Sequence, residues 1–155
     1  MENGMIRVMF VCMGNICRSP MAEAVFLHLV DQAGFLERIE VSSSGTNAYH
    51  VGEKPHVGTR AVLKKNGIPL NPVKRANQFS RQDLKDFDYI LAADSTNVAA
   101  MPESDKIRRL LELYPDAGLM DVPDPYYEDN FDYVYDLITA ACKNLLKYIV
   151  EAEGF

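Results

Sequence analysis

The sequence predicts an α/β fold in which helices cover both faces of an open parallel sheet. Three observations support this class: short apolar segments alternate with helix-like segments, the 155 residues fit a single domain, and no internal repeat or low-complexity tract interrupts the alternation. Ligands bind such sheets beyond the carboxyl ends of their strands. We therefore expect the chemistry in the loop that follows the first strand.

The first half of the chain predicts two strands and two helices. Residues 5–11 form a short, apolar, β-rich segment that is typical of a buried strand, and residues 38–42 form a second one. Between them, apolar residues recur at helical spacing across residues 20–33, and a glycine follows directly. Residues 58–66 predict another helix, which a glycine also ends.

The second half of the chain predicts two more strands and a long final helix. Residues 88–93 indicate a third buried strand, after which Asp94 or Ser95 can cap a short helix. Residues 107–113 predict a fourth strand. The last helix is expected over residues 131–150, because its apolar positions keep a period of about 3.6 residues.

Composition and charge exclude several classes of protein. The formal net charge of −6 argues against a nucleic-acid-binding surface, and no apolar run approaches the roughly 20 residues that span a bilayer. Residues 1–4 carry no basic region of a signal peptide. The three cysteines, Cys12, Cys17 and Cys142, form neither a secreted disulfide framework nor a zinc pattern. We expect a cytoplasmic protein without a metal, cofactor, membrane or nucleic-acid partner.

The segment after the first strand has the composition of an anion-binding loop. Pro20 is expected at the first helical position, and Gly14 and Asn15 suit the unusual φ values of a tight loop. Backbone N–H groups at the start of the helix would then bind a phosphate together with the guanidinium fork of Arg18. The segment comprises Cys12, Met13, Gly14, Asn15, Ile16, Cys17, Arg18, Ser19 and Pro20.

Cys12 is the candidate nucleophile of this loop. Cysteine thiols at helix N-termini and beside cations are more acidic than free thiols, so we expect a Cys12 thiolate beneath the phosphorus. Ser19 can cap the helix with its oxygen and direct its hydroxyl hydrogen at the Cys12 sulfur. A bare Cys-x5-Arg also arises by chance, but the strand before it and the helix start after it favour the functional interpretation.

These segments resemble the motifs of a known enzyme family. The run VCMGNICRSPMAEAVF looks like the signature of the low-molecular-weight protein tyrosine phosphatases, and DVPDPYY is similar to their second motif. The segments SSSGT, NGIP and DYILAADSTN match the family in order and spacing. The resemblance implies one flavodoxin-like domain over residues 1–155, with a four-stranded parallel sheet. It also implies metal-independent hydrolysis of phosphotyrosine proteins and small aryl phosphates through a phosphocysteine, by a monomer or weak dimer.

Asp124 is the candidate general acid. Pro123 and Pro125 flank it and stiffen its loop, although the pattern taken alone fits a plain turn aspartate. Asp121 and Asp116 are weaker candidates. The resemblance assigns the role to Asp124, because the acid of the family is the aspartate of this Asp-Pro-Tyr motif.

The resemblance also implies how the substrate is recognised. Tyr49 and Tyr126 would be aromatic walls that flank a phosphotyrosine ring. Related phosphoarginine phosphatases carry a threonine where this chain has Ile16, so an aryl ester is favoured over phosphoarginine. Cys17 either fills space or forms a reversible disulfide with Cys12.

Asn15 is expected to brace the loop together with Ser19 and Ser43, as the resemblance implies. A fourth partner, a histidine in some members, falls at Pro72 here, which predicts a smaller bracing network. The histidines of this chain lie scattered without ligand spacing and are assigned no chemical role: His28, His50 and His56.

Two other functions use similar loops. An arsenate reductase of the same fold needs a further pair of relay cysteines, whereas only Cys142 remains, on the apolar stripe of the last helix. A phosphopeptide-binding module would use the loop without turnover and predicts a lost nucleophile or acid. Cys12 and Asp124 are both present, which favours the enzyme.

Overall fold

The structure is a computed structural model that describes residues 4–155, and its centre is a four-stranded parallel sheet. The strands are β1 (Ile6–Cys12), β2 (Ile39–Gly45), β3 (Tyr89–Ala92) and β4 (Ile107–Arg109), in the spatial order β2-β1-β3-β4. Helices cover both faces, so the predicted α/β class with four parallel strands is confirmed. The first three residues of the predicted 1–155 domain lie outside the described residues.

The central position of β1 explains its apolar sequence. It pairs with β2 on one side and with β3 on the other, and its residues from Val8 onward are buried. Successive side chains of a strand point to opposite faces. Val8 and Phe10 accordingly join one hydrophobic core, while Met9 and Val11 join a second core across the sheet. A strand buried on both faces is a continuous apolar run, which is the pattern that predicted it.

Six α-helices of the described residues connect and cover the strands. Three contribute to the larger core: α1 (Arg18–Gln32), α2 (Val57–Lys65) and α6 (Phe131–Glu153). Two short helices, α3 (Arg81–Asp86) and α4 (Ser95–Ala99), contribute to the smaller core, and α5 (Pro125–Glu128) is a single turn. Cys142 is fully buried in α6, as its place on the apolar stripe predicted. No helix within residues 4–155 is long and apolar enough to cross a membrane.

The predicted fourth strand is correct only for its first three residues. The strand ends at Arg109, and Leu110–Leu113 forms a 3₁₀ helix. Leu110 and Leu111 are adjacent and both are buried in the larger core, which a strand with alternating sides does not allow. The short helices α3 and α5 were not predicted, and β2 continues to Gly45, three residues beyond its predicted end.

Helix α1 begins two residues earlier than predicted. Arg18 is its first residue, so Pro20 occupies the third helical position instead of the first. The proline is tolerated there because amides of the first turn have no acceptor within the helix. Ser19 lies inside this turn, and no side chain among residues 4–155 caps the helix. The predicted capping role of Ser19 is therefore wrong.

Candidate active site

A small pocket lies at the carboxyl edge of the sheet, where β1 runs into α1. Its floor is formed by residues 12–18, here called the cysteine loop, and residues 121–127, called the aspartate loop, form part of its wall. The segment after β2 completes the wall. Side chains and backbone from these three segments line the pocket: Cys12, Met13, Gly14, Ile16, Cys17, Arg18, His50, Asp124 and Tyr126.

The cysteine loop turns its carbonyl groups outward. Amides from outside the loop donate to the carbonyl oxygens of Cys12 (2.9 Å), Met13 (3.1 Å) and Ile16 (2.7 Å), and the donors are Thr46, Asn47 and His56 respectively. In a trans peptide the N–H that follows a carbonyl points the opposite way. The amides after these three carbonyls therefore face the interior of the loop, which creates a local excess of hydrogen-bond donors suited to an anion.

Close packing and one unusual backbone angle shape the loop. Asn15 has φ 59°, a left-handed conformation that asparagine tolerates better than most residues. Gly14 was predicted to need the same freedom, but it does not. A Cβ at Gly14 would lie 2.7 Å from Cδ2 of His50, and a Cβ at Gly45 would lie 2.8 Å from the Met13 carbonyl oxygen. Gly45 is therefore required by close approach to backbone, whereas a side chain at Gly14 would force the His50 ring to move.

Asn15 braces the loop from behind. Its Nδ2 donates to the hydroxyl oxygens of Ser19 (2.7 Å) and Ser43 (3.0 Å), as the sequence analysis expected. Its Oδ1 accepts from the backbone N–H of Asn77 at 3.0 Å. All the hydrogen-bonding atoms of this buried side chain thus have partners, which fixes the loop in a single shape.

The bracing network is larger than predicted. The Ser43 hydroxyl donates to a Glu23 carboxylate oxygen at 2.5 Å, and Lys74 Nζ lies 3.4 Å from the same oxygen. Lys74 also donates to the Ser43 carbonyl at 3.2 Å. Pro72, where the family pattern placed a histidine, is exposed and lies outside the network. Lys74 and Asn77 extend the network instead, since the chain after Pro72 turns back against Ser43 and the loop.

Ser19 is placed to donate to the sulfur of Cys12. The two side chains are 3.0 Å apart from Oγ to Sγ, and the Ser19 amide nitrogen is 3.4 Å from the same sulfur. Because Asn15 already donates to the Ser19 oxygen, the hydroxyl hydrogen can point at Cys12, which lies closer than its other acceptor, the Ser44 carbonyl at 3.4 Å. Both groups would stabilise a thiolate more than a neutral thiol.

Arg18 is a buried cation with carboxylates on two sides. Its Nη1 donates to Asp94 Oδ2 and to the Val122 carbonyl, each at 2.8 Å, and its Nη2 lies 3.5 Å from Asp124 Oδ2. Burial alone would lower the pKa of Arg18, but the charges of Cys12, Asp124 and Asp94 outweigh it and raise the pKa above its usual value. The Nε atom is buried and has no hydrogen-bond partner within residues 4–155.

Asp94 is a site residue that sequence reasoning recognised only as a helix cap. It is the cap of α4, because its Oδ1 accepts from the Asn97 amide at 2.8 Å, while its Oδ2 binds Arg18. The signal was available: Asp94 closely follows β3, which pairs with β1. Its carboxylate therefore lies at the same sheet edge as Cys12.

Asp124 is the aspartate that faces the pocket. Its Oδ1 accepts from the Tyr126 amide at 3.0 Å and caps α5, while its Oδ2 faces Arg18. The two weaker candidates lie elsewhere. Asp116 is exposed in the 3₁₀ turn Pro115–Ala117, and Asp121 is exposed and bonded to Ser95.

The aromatic walls differ from the predicted pair. Tyr126 lines the pocket, but Tyr49 is 82% exposed and stands outside the lining. His50, to which the sequence assigned no role, lines the pocket in its place. The His50 ring packs edge-on against Tyr49 (centroids 4.8 Å apart) and Tyr126 (5.9 Å), and its Nδ1 lies 3.0 Å from Glu53 Oε2. His50 reaches the pocket because its ring packs against Tyr126 and Gly14, and this packing cannot be recognised from the sequence.

Cys17 shares the pocket with Cys12, and both thiols are free. Burial raises the pKa of the Cys17 thiol to about 12, the nearby Cys12 and Asp124 raise it too, and Arg18 acts in the opposite direction. Cys17 is therefore a neutral thiol at physiological pH. In the part of the chain that the structure describes, no group of three or more His, Cys, Asp or Glu side chains is arranged to hold a metal ion.

Comparisons with known proteins identify the family. Residues 7–153 match the family model described as low molecular weight phosphotyrosine protein phosphatase. YfkJ of Bacillus subtilis, a low molecular weight protein-tyrosine-phosphatase, is 46% identical over 94% of this chain and 96% of its own. PtpA of Staphylococcus aureus, of the same description, is 41% identical over 95% and 96%.

Solved structures share the whole fold. The crystal structure of YfkJ superimposes with a TM-score of 0.92 at 43% identity, covering 99% of both chains. A protein tyrosine phosphatase of Entamoeba histolytica gives a TM-score of 0.88 at 34% identity, over 96% of this chain and 99% of that one. The resemblance inferred from the motifs is thus confirmed, and the chain belongs to the low molecular weight phosphotyrosine protein phosphatase family.

Proposed function

We propose that this protein, as one domain over residues 1–155, hydrolyses phosphotyrosine in proteins and small aryl phosphates through a phosphocysteine at Cys12. Arg18 and the amides of the cysteine loop bind the phosphate, and Asp124 acts first as general acid and then as general base. Membership of the phosphatase family supports the reaction class. The geometry of the pocket supports the individual roles.

The observation that carries the proposal is the buried Nε of Arg18, which has no protein partner within residues 4–155. An unsatisfied donor in a buried side chain costs free energy unless a ligand completes it. The other side of the guanidinium is held by Asp94 and Val122, so the fork has a fixed orientation. A phosphate above Cys12 would accept from Nε and from the inward amides.

In the first step, a lone pair of the Cys12 thiolate forms the S–P bond while the bond from phosphorus to the tyrosine oxygen breaks. The electrons of the broken bond go to that oxygen, which takes the proton of Asp124 and leaves as a phenol. Arg18 and the loop amides hold the three remaining phosphate oxygens as charge redistributes.

In the second step, water attacks the phosphocysteine. Asp124, now a carboxylate, takes one proton of this water as the new P–O bond forms. The S–P bond breaks and its electron pair returns to sulfur, which regenerates the thiolate and releases inorganic phosphate. The Ser19 hydroxyl, 3.0 Å from Sγ, stabilises the sulfur as it leaves. No metal or cofactor is required in either step.

The walls of the pocket favour an aromatic substrate. Tyr126 and His50 contact each other edge to face beside the loop, and Ile16 adds an apolar surface, so a flat ring can pack against them. We assign phosphotyrosine-bearing proteins as partners and exclude nucleic acids, given the net charge of −6. Three free thiols support a reducing compartment, the cytoplasm.

The geometry does not favour arsenate reduction. A relay of thiols would need a cysteine that can reach the loop, whereas Cys142 is fully buried in the core of α6. Burial also raises the pKa of the Cys142 thiol, which keeps it neutral and unreactive.

The test is phenol release from phenyl phosphate between pH 4 and 8, in EDTA, by the native protein and two variants. Cys12→Ser should abolish turnover. Asp124→Asn should lower it by roughly 10²-fold or more, the contribution of a positioned acid. Rapid acid quenching of the native reaction should trap a phosphoryl group on Cys12, which mass spectrometry locates.

Loss of native activity in EDTA would contradict the proposed metal-independent mechanism. Turnover by Cys12→Ser would contradict the assigned nucleophile. Tight binding of phosphotyrosine by the native protein without phosphate release would indicate a binding module instead.

A further inference from the structure

A closed ring of contacts joins Arg18 to the aspartate loop. Arg18 Nη1 donates both to Asp94 Oδ2 and to the Val122 carbonyl, each at 2.8 Å. Ser95 follows Asp94, and Asp121 precedes Val122. Ser95 donates to Asp121 Oδ1 through its backbone N–H at 2.9 Å and through its hydroxyl at 2.8 Å. Two connections thus join the start of α4 to the start of the aspartate loop. One passes through Arg18, and the other is the direct contact between Ser95 and Asp121.

We infer that Ser95 and Asp121 are positioning residues that hold the aspartate loop where Asp124 reaches the oxygen of the leaving group. The inference rests on the proposed role of Asp124 as general acid. Neither Ser95 nor Asp121 lines the pocket, so both lie outside the place where the phosphate and the leaving oxygen would bind. Their effect is on the placement of the proton donor relative to Arg18.

The segment between Asp121 and Asp124 is stiff enough to transmit this placement. Pro123 fixes its own φ and restricts Val122 to extended backbone conformations. The Val122 amide also donates to the Ala93 carbonyl at 2.9 Å. Together with the Ser95–Asp121 contact, the bonds of Val122 hold the segment at two successive residues, which fixes the direction in which it runs toward Asp124. Misplacement of a catalytic group by about 1 Å can cost roughly 10²-fold in rate.

The contact between Ser95 and Asp121 is exposed, so its effect on catalysis can be separated from any effect on folding. Asp121 and Ser95 are both exposed at the surface. Solvent can satisfy either side chain when its partner is removed, so the folded state should lose little stability.

The test compares two substrates that depend differently on the acid: phenyl phosphate, whose phenolate needs a proton to leave, and 4-nitrophenyl phosphate, whose phenolate leaves readily without one. Asp121→Ala should lower kcat/KM for phenyl phosphate by roughly tenfold, a part of the ~10²- to 10⁴-fold that a positioned acid contributes. The loss with 4-nitrophenyl phosphate should be about threefold or less, for the same reason.

Graded variants test the bond itself. Asp121→Asn should lose less than Asp121→Ala, because an amide oxygen still accepts from Ser95. Ser95→Ala should also lose less, because its backbone N–H remains. Combining Ser95→Ala with Asp121→Ala should add nothing beyond Asp121→Ala, as expected for two residues that act through one contact. Asp116→Ala, which removes an exposed aspartate five residues earlier, is the matched control.

Equal losses with both substrates, or an Asp121→Ala variant indistinguishable from Asp116→Ala, would overturn the inference. Measuring Asp124→Asn with the same two substrates distinguishes failure of the acid role of Asp124 from failure of the positioning role of Asp121. If Asp124→Asn shows no greater loss with phenyl phosphate than with 4-nitrophenyl phosphate, the acid role of Asp124 fails, and the positioning role fails with it. If Asp124→Asn shows the difference and Asp121→Ala does not, only the positioning role fails.

Discussion

The cysteine loop and the aspartate loop face each other across one pocket but are built differently. The cysteine loop is mostly buried and is braced through Asn15 by side chains and backbone from other segments of the chain. The aspartate loop is fixed at its start, whereas Tyr127 near its end is 74% exposed. Phosphate is the same in every substrate and suits rigid donors. Leaving groups differ between substrates, and an acid on a less enclosed loop can accommodate these differences.

The largest effect is expected from Arg18→Lys, which changes the shape of the cation in the cysteine loop but keeps its positive charge. A lysine cannot present Nε while also donating to Asp94 and Val122, so kcat/KM should fall by roughly 10²- to 10³-fold, as for the loss of an oxyanion donor. Steady-state kinetics with phenyl phosphate measure this. Arg81→Lys, at an exposed position in α3, is the control, and a loss below tenfold would contradict the rigid-fork argument.

Asn15→Ala tests whether bracing makes the cysteine loop rigid. The change removes hydrogen bonds to Ser19, Ser43 and Asn77 and places alanine at a left-handed φ, so the free energy of unfolding should fall by about 2–4 kcal/mol. Urea denaturation measures it. Asn15→Gly should recover about 1 kcal/mol of this loss, because glycine adopts the left-handed conformation freely. Identical midpoints for the two variants would show that the backbone angle carries no cost.

Stability at alkaline pH tests how completely the cysteine loop excludes water. The pKa of Cys17 is about 12 in the folded protein, against 9.0 as its ordinary value. Below pH 9 both states keep the proton and stability does not depend on it. Between pH 9 and 12 only the unfolded chain releases it, so the folded state loses up to about 1.4 kcal/mol per pH unit.

The contrast with Cys17→Ala isolates this contribution, because tyrosines and lysines titrate equally in both proteins. From pH 7 to pH 10, the native protein should lose about 1.4 kcal/mol more stability than Cys17→Ala. Cys142→Ala is a second comparison, since burial also raises the pKa of that thiol. Parallel pH profiles for the native protein and Cys17→Ala would mean that Cys17 is accessible to water.

The smallest effect is expected from His50→Ala, at the junction of the two loops. The His50 ring lies against Gly14 on one side and Tyr126 on the other. Its loss should raise KM for aryl phosphates by about 2- to 10-fold, the worth of one aromatic contact. Inhibition by inorganic phosphate should not change. Weaker phosphate inhibition would assign His50 to support of the cysteine loop instead of contact with the ring.

The sequence revealed the cysteine loop more completely than its surroundings, for a physical reason. Cys12 and Arg18 belong to one contiguous motif, and the strand before it and the helix after it could be recognised locally. Asp94, His50 and Lys74 reach the site from segments that the order β2-β1-β3-β4 and the loop packing bring together. Sequence periodicity predicts strands but not which strands become neighbours.

The start of α1 shows the same limit on a smaller scale. Local rules favour Ser19 as a cap, but Asn15 and Cys12 engage its hydroxyl, and the helix begins at Arg18. The short helix α5 was likewise missed, since four residues carry too little periodic signal. Tertiary contacts decide both cases.

The hydrogen bonds of Asn15 have a thermodynamic consequence. They connect the cysteine loop to α1, to β2 and to the chain at Asn77, so the loop has its shape only when these distant segments are assembled. An oxyanion that binds the loop must then bind the native state alone. Phosphate, the product of the reaction, should therefore protect the whole chain against unfolding by about 1.4 kcal/mol for every tenfold excess over its dissociation constant. The enzyme would gain resistance to unfolding from the ion that it releases.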